Sequence, residues 1–103
     1  MIRAVLSHRA IDTEKLIDVI RETRNEAMKQ RGYITGETLI NTEDHTHVLV
    51  ITTWETLDDW KAWDTSETRL KFRERINALL KEPYTTDTFN HYLVQQKRVR
   101  TIF

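Results

Sequence analysis

The residues best suited to chemistry are a histidine near the start of the chain, three tryptophans in its middle and two arginines one helical turn apart. His8 titrates near neutral pH and can serve as a general base at the mouth of a pocket. The plainer reading is a polar residue at a strand end. Trp54, Trp60 and Trp63 can wall a site for a flat polycyclic molecule, while core or interface packing accounts for at least one of them. Arg69 and Arg73 stand at i and i+4, so they share one helical face. Such a cationic pair can hold an enolate-like anion by charge-assisted hydrogen bonds. The favoured reading is more ordinary: a solvated face paired with Glu67, Glu74 or Asp64.

Other candidates are weaker. His45 and His47 stand at i and i+2, the minimum for a two-ligand metal site on a strand. No third ligand is placed, and Thr42-Glu43-Asp44 reads as a plain turn, so no metal is expected. Tyr33 and Tyr92 suit a sheet. Gly36 within a strand implies a bulge or a close approach, by a ligand or a large side chain. There are no cysteines, which excludes disulfides, thiolate catalysis and cysteine-ligated metals. Dinucleotide, P-loop, HExxH and GxSxG signatures are missing.

Seven elements must position these residues. Ile2 to Arg9 alternates as a strand, with Ile2, Ala4 and Leu6 on one side. Asp12 offers an N-cap, and Leu16, Ile20, Thr23 and Ala27 form the apolar stripe of the helix that follows. Gly32 is expected to be its left-handed C-cap. Tyr33 to Asn41 is a second strand. His47 to Trp54 is a third, apolar on both faces: Val48 and Val50 on one, Leu49 and Ile51 on the other. A strand with one wet face alternates cleanly, so both faces of this one need a cover. Helices can cover one, and a second copy of the sheet the other.

Thr56 caps a short helix, with Asp59 at the capping-box position. Asp64-Thr65-Ser66 interrupts it, and Ser66 or Thr65 can cap a new helix whose stripe is Arg69, Phe72, Ile76 and Leu79–Leu80. Pro83, the only proline, ends it. Thr85 to Val94 reads as a last strand. The order β-α-β-β-α-β predicts a ferredoxin-like α+β fold: a four-stranded antiparallel sheet with helices on one face.

The 103 residues fit one domain, 1–103, with residues 95–103 as a basic, apolar-tipped C-terminal arm suited to docking on a partner protomer. Sixteen basic residues balance sixteen acidic ones, so neither nucleic acid nor long-range electrostatic steering is expected. No stretch approaches the roughly 18 apolar residues of a membrane span. The start lacks the apolar core of a signal peptide, and a cytoplasmic location is expected.

One stretch carries a resemblance. Gly32-Tyr33-Ile34-Thr35-Gly36-Glu37-Thr38-Leu39 is followed by Val50-Ile51-Thr52-Thr53-Trp54-Glu55-Thr56, then by Trp60-Lys61-Ala62-Trp63-Asp64-Thr65-Ser66. This resembles the antibiotic biosynthesis monooxygenase family, the ABM domain, over nearly the whole chain. The resemblance implies a homodimeric α/β barrel, each protomer keeping a pocket between its helices and its sheet. It implies an oxidoreductase, a cofactor-independent monooxygenase acting on a small aromatic or polyketide-like molecule.

Carried over by position, the tryptophan of the family site falls on Trp63. In the haem-degrading branch an asparagine and an axial histidine would fall on His8 and Arg73. Arginine has no lone pair for iron, so haem is disfavoured. In the quinone-forming branch an asparagine precedes the tryptophan by one turn, where this chain has Asp59. A tyrosine follows it, near Arg69. The resulting expectation is a catalytic set of His8, Trp63 and Arg73, with Asp59, Arg69, Trp60, Trp54 and Tyr33 binding substrate. The rival expectation is a non-catalytic dimeric barrel, a small-ligand-binding or stress-response module.

Overall fold

The computed structural model describes residues 1–93 and residue 95. The predicted C-terminal arm falls almost wholly outside the described residues. The elements run β1 (Ile2–Arg9), α1 (Thr13–Ala27), β2 (Tyr33–Ile40), β3 (His47–Trp54), α2 (Leu57–Asp64), α3 (Glu67–Asn77) and β4 (Thr85–Asn90). All four strands are antiparallel, in the order β2-β3-β1-β4. This is the ferredoxin-like α+β fold.

The period-two pattern of β1 sets its two faces. Ile2, Ala4, Leu6 and His8 are buried, whereas Val5 and Ser7 are half-buried and Arg3 and Arg9 exposed. In β3 the buried row is Val48, Val50, Thr52 and Trp54. Register places Leu6 opposite Val50 and His8 opposite Val48, so the two rows form one inner face. Leu16, Val19, Ile20 and Ala27 of α1, Trp60 and Trp63 of α2 and Ile76 of α3 close the core above it. Each fully buried aliphatic or aromatic side chain contributes roughly 1.5–3 kcal/mol.

Local signals set the helix starts. Asp12, Thr56 and Ser66 each accept a backbone N–H three residues on: Lys15 at 3.2 Å, Asp59 at 3.1 Å and Arg69 at 3.2 Å. Each satisfies one otherwise unpaired donor of a first turn.

Two expectations require correction. Gly32 is not the cap of α1, which ends at Ala27 with Met28 as its cap in ordinary helical geometry. Gly32 instead makes the left-handed turn into β2 at φ 82°, and its carbonyl accepts the Glu55 N–H at 2.8 Å. The last strand stops at Asn90, not Val94, because its partner runs out. Asn90 pairs with Ile2, the first residue of β1, and His91 N–H reaches only Met1 carbonyl, at 3.3 Å.

The outer face of the sheet presents Val5, Leu49 and Ile51, all half-buried, with Leu39 and Phe89 exposed. No helix among the described residues is long and apolar enough to cross a membrane.

Candidate functional site

A cavity lies between the inner face of the sheet and the helices. Leu6 and His8 of β1 and Val50 and Thr52 of β3 form its floor. Ile20, Thr23, Arg24 and Ala27 of α1, Trp60 and Trp63 of α2 and Arg69 and Ile76 of α3 form its walls. Ten of these twelve residues are buried; only Thr23 and Arg24 are half-buried, so they mark its rim. The lining is largely apolar, and the space open to the centres of water-sized molecules is about 40 Å³. That holds a few waters; a ring system enters only if lining side chains move.

His8 is 1% exposed, buried in the floor rather than set at a mouth. Its Nδ1 lies 3.0 Å from the Val48 carbonyl. A carbonyl only accepts, so Nδ1 carries the proton and Nε2 of the neutral ring keeps the lone pair. Burial pushes the His8 pKa below the ordinary histidine value, and the Arg69 cation pushes it the same way, against the Val48 hydrogen bond. The ring is therefore neutral at pH 7 and able to take a proton.

Arg69 is 2% exposed, which corrects the expectation of a solvated pair. The α3 stripe that buries Ile76 carries Arg69 inward as well. Its Nη2 donates to the Tyr84 hydroxyl at 2.9 Å, and the guanidinium lies 5.3 Å from the centre of that ring. Its Nη1 is buried with no hydrogen-bond partner, and no carboxylate forms an ion pair with it among the described residues. Burial lowers its pKa, but arginine remains cationic. A buried cation lacking a counter-charge is costly, and an anion in the cavity would offset that cost.

Arg73 does not line the cavity. Its Nη2 bonds Asp64 Oδ1 at 2.7 Å and the Asp64 carbonyl at 3.0 Å, while its Nε bonds the Tyr84 hydroxyl at 2.7 Å. Burial opposes its charge, but Tyr84 and Asp64 outweigh burial and hold its pKa above the ordinary value. Arg73 thus anchors Tyr84, which packs against His8 at 5.2 Å between ring centres. No sequence periodicity singles out Tyr84; it sits alone between Pro83 and β4.

The remaining candidates separate. Trp60 and Trp63, at i and i+3, both reach the cavity wall. Trp54 is fully buried behind them, donating from Nε1 to Thr52 Oγ1 at 2.9 Å. Tyr33 and Trp60 both meet Trp54 edge-on, at 5.4 and 5.9 Å. Burial raises the Tyr33 pKa, partly offset by the Arg24 cation. The Tyr33 hydroxyl lies over Gly36, where a Cβ would collide with it and press on Arg24 Nε at 3.0 Å. Asp59 faces away from the cavity, against Gly32 and 4.0 Å from Arg31 Nε. His45 lies in the turn before β3, and His47 Nε2 bonds Ser7 Oγ at 2.9 Å on the outer face, so the two histidines do not share a strand face.

These features define a ferredoxin-like protein with a partly charged cavity between helices and sheet. The family model for antibiotic biosynthesis monooxygenase matches residues 1–75, and the chain belongs to that family. Among solved structures it is similar to SnoaB, a cofactor-independent oxygenase from Streptomyces nogalater, with a TM-score of 0.85 and 13% identity over 93% of this chain and 97% of that one. It is similar to a conserved protein from Methanosarcina mazei, with a TM-score of 0.80 and 14% identity over 88% and 92% of the two chains. Rv0793 from Mycobacterium tuberculosis aligns with a TM-score of 0.76 and 10% identity over 93% and 100%. At these identities the likeness is one of fold. No curated protein matches the sequence.

Proposed function

We propose that this chain is a cofactor-independent monooxygenase acting on a small aromatic or polyketide-like molecule with an acidic C–H or O–H. Family membership supports the reaction class. The observation that carries the site is the pairing, in one cavity, of a neutral His8 with a buried Arg69 whose Nη1 lacks a partner. His8 Nε2 takes the substrate proton. Arg69 stabilises the enolate or phenolate that forms, in surroundings shielded from bulk water. That anion supplies electrons to O2. For a CH2 group oxidised to C=O, one oxygen atom enters the substrate and the other leaves as water with the two hydrogens. Trp60 and Trp63 flank the ring, and Tyr84, held by Arg73, backs His8 and Arg69.

Haem degradation fits the residues poorly. Arg73, at the axial position, cannot ligate iron and is bound to Asp64 and Tyr84. A second copy of the chain is proposed to cover the outer sheet face, burying Val5, Leu49, Ile51, Leu39 and Phe89, a reading that the two-sided apolarity of β3 supports.

The test is oxygen consumption with an anthrone-type substrate, followed with quinone absorbance. One O2 per quinone is expected, with a rate reduced roughly 100-fold or more in His8→Gln and clearly reduced in Trp63→Phe. If no phenol or enolate is oxidised above background while aromatic ligands still bind, the non-catalytic ligand-binding reading replaces this one.

A further inference from the structure

The rim of the cavity holds a second cation that no carboxylate pairs among the described residues. Arg24 lies on the α1 stripe one turn after Ile20 and, with Thr23, forms the half-buried edge of the lining. Its Nη2 donates to Thr38 Oγ1 of β2 at 2.7 Å, which fixes the plane of the guanidinium. Gly36, without a side chain, leaves the space that Arg24 Nε and the Tyr33 hydroxyl occupy. Nε is buried beside the Tyr33 hydroxyl, the group that the Arg24 cation and its hydrogen bond act on. No carboxylate forms an ion pair with Arg24 among the described residues. Arg69 repeats the pattern deeper in: 2% exposed, one N–H used by Tyr84, one buried N–H unpaired.

Two guanidiniums, held by neutral hydroxyls and paired with no carboxylate among the described residues, thus line one apolar cavity from rim to floor. Neutral ligands would leave both charges uncompensated. A flat monoanion with its acidic group at one end would answer the rim cation and leave its other end for His8 and Arg69. We propose that the pocket selects an aromatic carboxylate, its carboxylate held by Arg24 at the rim and separate from the carbon that reacts. This rests on the site reading above and adds a substrate class and a specificity-determining residue. Charge-assisted hydrogen bonds exceed neutral ones in net strength by enough to give about tenfold or more in affinity.

The experiment compares 2-naphthoate with 2-naphthamide, a neutral ligand of nearly the same shape, by quenching of tryptophan fluorescence, since Trp60 and Trp63 line the cavity. The acid is expected to bind at least about tenfold tighter in the wild type. In Arg24→Gln that preference should fall towards unity. Thr38→Val, which leaves the charge and frees its orientation, should lose part of it. Equal binding of acid and amide by the wild type, or binding of neither, overturns the proposal. So does a preference that survives Arg24→Gln but vanishes in Arg69→Gln, which would put the carboxylate on the floor. The measurement needs neither oxygen nor turnover, so an inactive protein that still prefers the acid refutes the oxygenase reading alone, and an active one without the preference refutes this proposal alone.

Discussion

His8 bonds through Nδ1 to the carbonyl of Val48, the residue directly opposite it in the β1–β3 ladder, at 3.0 Å. This contact joins fold to chemistry. The register that builds the inner face of the sheet also fixes which ring nitrogen keeps a lone pair. The buried position keeps that ring neutral.

Stability should therefore depend on pH through His8. Its pKa is lowered in the folded state, so the unfolded chain takes up a proton first as pH falls below the unperturbed value of 6.5. The unfolded form binds more protons in that window, and stability falls with pH until the folded-state pKa is reached. Urea unfolding between pH 7.5 and 5 should show this loss in the wild type and a shallower one in His8→Gln. Parallel slopes for the two proteins would contradict the neutral, buried imidazole.

Arg69→Met should separate stability from function. Removing a buried, uncompensated cation for an apolar chain of similar length should leave the unfolding free energy within about 1 kcal/mol of wild type, or raise it. Oxygen consumption should fall roughly 100-fold, the loss typical of a removed oxyanion donor. A loss of several kcal/mol in stability would make Arg69 a structural cation.

Gly36→Ala should destabilise by roughly 1–3 kcal/mol, the usual cost of overpacking. Its Cβ would collide with the Tyr33 hydroxyl. Tyr33→Phe in the same chain should recover part of that loss, and a double-mutant cycle measures the coupling. Additive effects would mean that the Tyr33 hydroxyl is not what excludes the methyl group.

Much of this was legible in the sequence, for different reasons at different places. Strands β1 and β3 and the caps Asp12, Thr56 and Ser66 are encoded by local pattern and spacing, and they appear where the pattern puts them. The end of β4 is not local: it depends on where β1 begins. Arg69 and Arg73, at i and i+4, look alike in sequence, yet one is buried and the other is tied to Asp64, because only packing decides what faces each of them. Tyr84 is a single residue outside any periodic signal. In retrospect, Arg24 is visible as a lone cation one turn after Ile20.

The outer sheet face predicts a dimer. Ile51 lies opposite Val5 at its centre. Sedimentation at micromolar concentration should give a dimer for the wild type and a monomer for Ile51→Glu, since a charge there would be buried unpaired. A stable wild-type monomer would remove the second copy from the description.

The pairing of His8 and Arg69 is tested most directly by the pH dependence of kcat/KM for oxygen consumption with an anthrone-type substrate. The acid limb should lie below pH 6.5, where the lowered His8 pKa puts the loss of the base, and His8→Gln should abolish that limb with most of the rate. An acid limb above 6.5, or one that persists unchanged in His8→Gln, would show that another group takes the proton.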